Sequence, residues 1–280
     1  MSNALESEAD FDWTSVIQGA RADNLADRRY TGGMSRTAVT IPTPDGSCPA
    51  SLFRPAGDGP WPAVLMYMDG VGMRPALFPI AERIADAGYL VLLPDLFYRA
   101  GPYQAPDAKA LFSDPAARQA WSKTALTASA ANVMRDTGAF LDYLAAQPDV
   151  RPGKIGTTGY CMGGRFSMTA AGTFPDRIAA AAAFHPGNLA TDAPDSPHLL
   201  APKMRGVKLY LAGAIEDPSF PDDMKRRLEE ALTAAGVDHR LETYAGMRHG
   251  WVPSDTPVHS PEGTERHFQA LLDLYASALR

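Results

Sequence analysis

Lys154-Ile-Gly-Thr-Thr-Gly-Tyr-Cys-Met-Gly-Gly164 decides how this chain is read. Residues 154–160 read as a strand running straight into Cys161, and residues 162–173 have helical character. A strand that passes directly into a helix leaves Cys161 alone on a sharp turn. Its neighbours two residues away must then be small, and they are Gly159 and Gly163. The helix N-terminus beyond the turn adds positive potential, which favours a thiolate or an oxyanion. The amide of Met162 would point at the same spot and can serve as an oxyanion donor. The plainer alternative is a buried, inert cysteine between packing glycines, the usual fate of this residue. Cys48 has no comparable context and is assigned to packing.

Outward from this turn the chain alternates strand and helix. Residues 37–41 and 48–53 flank a Pro-Asp-Gly turn and read as an opening hairpin. Further strands are expected at 63–68, 89–93, 178–184, 207–212 and 240–244, with helices at 76–87, 126–147, 222–235 and 262–279. This alternation predicts an α/β fold with a mostly parallel sheet, covered by helices on both faces. Ligands of such sheets bind where strands end, so the chemistry is expected there. Residues 1–35 are polar and read as an N-terminal extension, with a short helix near 10–18. Residues 36–280 read as one domain. Within it, 99–125 is rich in Pro, Ala and polar groups and is expected to be a loop with a short helix covering the active site.

Composition narrows the function classes. At 280 residues with 45% hydrophobic and 21% charged residues, the chain can bury a large core without staples. A net charge of −6 with no basic block gives nucleic acid no electrostatic footprint. No apolar run approaches a membrane span, and the acidic start is no secretory signal. Two cysteines make no disulfide framework, so a reducing cytosol is the expected compartment. No CxxC or HExxH occurs, and neither a metal nor an organic cofactor is expected.

A cysteine nucleophile needs a base and an orienting acid. Gly159-Tyr-Cys-Met-Gly-Gly164 resembles the Gly-x-Ser-x-Gly elbow of α/β-hydrolases, which place their histidine in a loop after the last strand. His249, in Tyr244-Ala-Gly-Met-Arg-His-Gly-Trp251, stands there. His185 is the rival, since it also follows a strand; it reads as lining the pocket or hydrogen-bonded locally. His198, His239, His259 and His267 lie in polar stretches and are expected to be solvated. The acid should follow strand 207–212, where Glu216 and Asp217 stand together. Asp217 is preferred because it leads into a Pro-terminated loop, and Glu216 stays open as the alternative one residue away.

These residues, with Asp69-Gly-Val-Gly72, Pro94-Asp-Leu-Phe-Tyr-Arg99 and Asp217-Pro-Ser-Phe-Pro221, resemble the dienelactone hydrolase (carboxymethylenebutenolidase) family from about Thr37 onward. The resemblance implies an α/β-hydrolase fold with an eight-stranded sheet and a Cys161–Asp217–His249 triad. It further implies hydrolysis of a lactone or ester through a thioester, without a cofactor, and a small-molecule substrate that carries a carboxylate. It places the second oxyanion amide at Gly70 and makes Arg99 the grip on the substrate carboxylate; the alternative for Arg99 is a salt bridge to Asp95 or Asp107. Asp69 stands where the family commonly has a glutamate that helps ionise the thiol, and it is one methylene shorter. The family's further arginine after the histidine is absent from Gly250-Trp-Val-Pro-Ser254. Three other readings stay open: a carboxylesterase with another substrate, a thiol sensor, and a ligand-binding member without chemistry.

Overall fold

The structure, a computed structural model, describes residues 33–279, so the helix expected near 10–18 lies outside the described residues. The described chain opens with the antiparallel pair β1 (Ser35–Thr43) and β2 (Gly46–Arg54), matching the hairpin expected from its Pro-Asp-Gly turn. Strand β3 (Ala63–Tyr67) leads to helix α1 (Phe78–Asp86), and β4 (Leu90–Pro94) leads to the short helices α2 (Ala108–Ser113) and α3 (Pro115–Ala125). Then come α4 (Ala130–Ala145), β5 (Ile155–Tyr160), α5 (Met162–Thr173), β6 (Ile178–Phe184), β7 (Lys208–Ala214), α6 (Asp222–Ala235), β8 (His239–Tyr244) and α7 (Pro261–Leu279).

The eight strands form one sheet in the order β1-β2-β4-β3-β5-β6-β7-β8. β1 and β2 pair antiparallel, β2 meets β4 antiparallel, and every pair from β4 to β8 is parallel. Every residue of β3, β4 and β5 is buried, as expected of strands covered on both faces. Covering them takes room: a Cβ on Gly156 in β5 would lie 2.6 Å from the ring of Tyr275 on α7. The chain winds from β3 to β4 on one side and returns to β5 on the other. The ends of β3 and β5 therefore flank a reversal in winding, the usual binding crevice of open parallel sheets.

Most element ends fall within two residues of expectation, and two stretches depart further. The helix expected over 126–147 begins at Ala130, because the Ser129 hydroxyl accepts the Asn132 amide at 3.2 Å and caps a new helix there. Leu126 is consequently left on the surface, 77% exposed. The segment 99–125 holds two helices, started by Asp107 and Asp114, whose carboxylates accept the Lys109 and Ala116 amides. No helix among the described residues is long and apolar enough to cross a membrane.

Candidate active site

Cys161 has φ 53° and ψ −115°, a conformation rare for a residue with a Cβ. The glycines around it make the turn feasible. A Cβ on Gly159 would collide with the carbonyl of Gly163, and one on Gly163 with the carbonyls of Tyr67 and Met68 at the end of β3. Helix α5 thus starts hard against both β5 and β3. In the sheet Tyr67 is level with Gly159, so the chain beyond β3 runs beside the elbow. A Cβ on Gly70 would lie 4.0 Å from that of Met162, so the two expected oxyanion-hole residues are neighbours.

The loop after β8 carries His249, whose Nδ1 lies 2.7 Å from Asp217 Oδ2. Asp217 is itself fixed, its Oδ1 accepting the Ser219 amide at 2.9 Å. Burial disfavours the imidazolium of His249. The neighbouring Cys161 charge, a hydrogen bond to Asp217 and one to Cys161 outweigh that penalty and hold its pKa up at about 10. Glu216, the other acid in reach by sequence, faces Arg248 at 3.2 Å on the surface. Cys161, His249 and Asp217 thus form one connected set across three strand ends.

His185 continues β6 at φ 40° and is fully buried. Its Nδ1 accepts the Cys161 amide at 3.1 Å. The ring packs on Tyr160, His249 and Trp251, with centroids 6.0, 5.4 and 4.8 Å away. His198 and His267 are buried, contrary to the expectation that they are solvated. His267 Nε2 lies 2.8 Å from the Tyr160 hydroxyl, and burial lowers its pKa to about 3. Both sit on sequences that look polar, but each ring faces inward from a helical turn.

Asp69 and Arg99 have partners that no local pattern announced. Arg74 donates to Asp69 Oδ1 and Oδ2 at 2.7 and 3.0 Å, and to Asp255 Oδ2 and Oδ1 at 2.6 and 3.0 Å. It also donates to Gly72 O at 3.2 Å. The loop after β3 is thereby tied to the loop that carries His249. Arg99 is engaged through all three guanidinium nitrogens, by Asp45 in the β1–β2 turn and by the buried Asp136 of α4. Asp95, one of the salt-bridge partners weighed for Arg99, instead accepts the Tyr103 hydroxyl at 2.6 Å, and burial raises its pKa to about 6. Asp107, the other, caps α2.

The 99–125 segment, expected to cover the site, reaches the loop after β3. Trp121 of α3 donates its indole N–H to Gly70 O at 2.8 Å, and its ring packs edge-on to Phe97 and Tyr103. Cys48 is buried in β2 with its thiol 3.3 Å from Asp95 O, and burial pushes its pKa far up.

The profile described as "Dienelactone hydrolase family" matches residues 48–279. A "Putative carboxymethylenebutenolidase" of Synechocystis sp. is 26% identical over 253 residues, covering 89% of this chain and all of that protein. Among solved structures, a "Putative Dienelactone Hydrolase" from Klebsiella pneumoniae superposes with a TM-score of 0.73 at 23% identity, covering 87% of this chain and 98% of that one. A "Dienelactone Hydrolase-like Promiscuous" phosphotriesterase from metagenomic libraries gives 0.71 at 22%, covering 89% and 100%. An acylaminoacyl peptidase of Pyrococcus horikoshii gives 0.65 at 15%, with 88% of this chain matching 42% of that one. The shared architecture is the α/β-hydrolase fold.

Proposed function

Because this chain belongs to the dienelactone hydrolase family, we propose that it hydrolyses a lactone or carboxylic ester through a thioester on Cys161. The observation that carries the reading is the connected set of Cys161 on a strained elbow, His249 beside it, and Asp217 at 2.7 Å from the far side of the imidazole. Asp217 keeps the Nδ1 proton in place and stabilises the imidazolium, leaving Nε2 for proton exchange at the reacting atoms.

The raised pKa of His249 suits an imidazolium that supports a Cys161 thiolate. The sulfur attacks the carbonyl carbon, and the carbonyl electrons move onto oxygen. The amides of Met162, at the start of α5, and Gly70 supply hydrogen bonds to that oxyanion. Collapse of the tetrahedral adduct breaks the ester C–O bond, and His249 gives its proton to the departing alkoxide. Neutral His249 then takes a proton from water, whose oxygen attacks the thioester and returns the thiolate. In a lactone the alcohol stays tethered to the acid, so one ring-opened product leaves.

Turnover of aryl acetates and of dienelactone by wild type and Cys161→Ala tests the reading. The variant should lose activity, and rapid quenching of the wild type should trap an acyl group on the peptide containing Cys161. Full activity in a clean Cys161→Ala preparation would sink it.

A further inference from the structure

The amide of Cys161 has two acceptors. Phe184 O, at 3.1 Å, continues the β5–β6 ladder, and Nδ1 of His185, also at 3.1 Å, adds a side chain to the same N–H. We propose that His185 is a positioning residue for the nucleophile: its bare Nδ1 holds the Cys161 amide, and with it the left-handed turn that aims the sulfur. The proposal rests on the reading of Cys161 as nucleophile.

Several features converge on this role. Cys161 and His185 both have positive φ, 53° and 40°, and neither is glycine. Such strain persists where surrounding contacts over-determine it, commonly at functional sites. The far end of the Cys161 residue is held too, since its carbonyl accepts the Gly164 amide at 3.1 Å. Rotation about the cysteine backbone is therefore resisted at both peptide groups.

Chemistry fixes the tautomer. A backbone amide only donates, so Nδ1 carries no proton and the neutral ring bears its hydrogen on Nε2. Nε2 is buried and has no hydrogen-bond partner among the described residues. His185 is thus poorly suited to exchange protons itself. The titratable groups facing it are His249 from the loop after β8, His267 from α7, Tyr160 from β5, and Cys161 from the elbow. Burial first, and then the charges of those two histidines, push its pKa well below the usual 6.5. The ring therefore stays an acceptor while His249 is charged. A protonated His185 would lose the Cys161 amide and set a second cation against His249.

The test uses the full chain with His185→Leu, His185→Asn and His185→Gln. Alkylation of Cys161 by iodoacetamide and hydrolysis of p-nitrophenyl acetate are the readouts. The side-chain oxygen of asparagine falls near the Nδ1 position, whereas that of glutamine falls near Nε2. Leu and Gln should slow alkylation and kcat by about tenfold or more with KM little changed, because misplaced reacting atoms cost rate rather than binding. Asn should restore most of the loss. A Leu variant that alkylates at the wild-type rate overturns the proposal. So do equal rates for Asn and Gln, and that contrast decides alone if the Leu variant fails to fold. Failure of the nucleophile reading is distinguishable, since it appears as ester hydrolysis surviving in Cys161→Ala.

Discussion

Arg74 holds both carboxylate oxygens of Asp69, at 2.7 and 3.0 Å, immediately before the amide of Gly70. The pair is buried, with 6% and 5% of the side chains exposed. A carboxylate so engaged is committed to shaping the loop after β3. Arg74→Met should strand a buried charge on Asp69 and cost about 3–5 kcal/mol in urea unfolding. Asp255→Asn, at the more exposed end of the same arginine, should cost far less. Equal losses would refute this ranking.

Arg99 is expected to matter more for stability than for substrate charge. Its guanidinium neutralises Asp136, which is fully buried. Arg99→Met should therefore destabilise the fold by about 3–5 kcal/mol. The ratio of kcat/KM between a neutral ester and its carboxylate-bearing counterpart should barely change. A selective rise in KM for the anionic ester would instead show that Arg99 leaves Asp136 to grip substrate.

His249 gives a signed pH dependence. Its folded pKa of about 10 lies above the ordinary 6.5, so the stabilisation from its charged form is complete below pH 6.5. That share is lost as pH rises through about 10. Asp217→Asn removes one source of it. The gap in Tm between wild type and Asp217→Asn should be widest below pH 6.5 and narrow toward alkaline pH. A gap that widens upward would contradict the assignment. In Cys161→Ala, nuclear magnetic resonance titration of His249 should show its pKa falling, since a second source is gone.

Trp121 links α3 to the loop after β3 through its 2.8 Å bond to Gly70 O. Trp121→Phe keeps an aromatic ring but drops that donor. The net stability cost should be about 1 kcal/mol. Alongside it, kcat should fall more than KM rises, if the bond keeps Gly70 in place. An unchanged kcat would mean that the loop is held adequately without it.

The features legible in sequence are those set by local pattern. The glycines about Cys161 mark a crowded turn because only small residues clear the backbone of Gly163 and Tyr67. The histidine and acid loops follow strands whose apolar runs are plain. Between Glu216 and Asp217 sequence could express only a preference, because one residue of offset reverses which carboxylate faces His249. Contacts between distant loops left no local mark: Arg74 and Asp255 are 181 positions apart. The partners of Arg99 come from a hairpin turn and a helix, neither of them adjacent to it in the chain. His185 could be read as pocket lining or as locally bonded, but its tautomer depends on the amide it meets. The break before α4 hinged on the hydroxyl of Ser129, a weak signal inside an otherwise helical stretch.

The burial of Cys48 gives the protein a built-in folding gauge. With only two cysteines in the chain, and this one sealed beside Asp95 in β2, a thiol reagent added to native protein should consume one equivalent, at Cys161. The second equivalent becomes available only when β2 leaves the sheet. Titrating thiols therefore counts accessible Cys161 and unfolded molecules in the same sample, with no label attached.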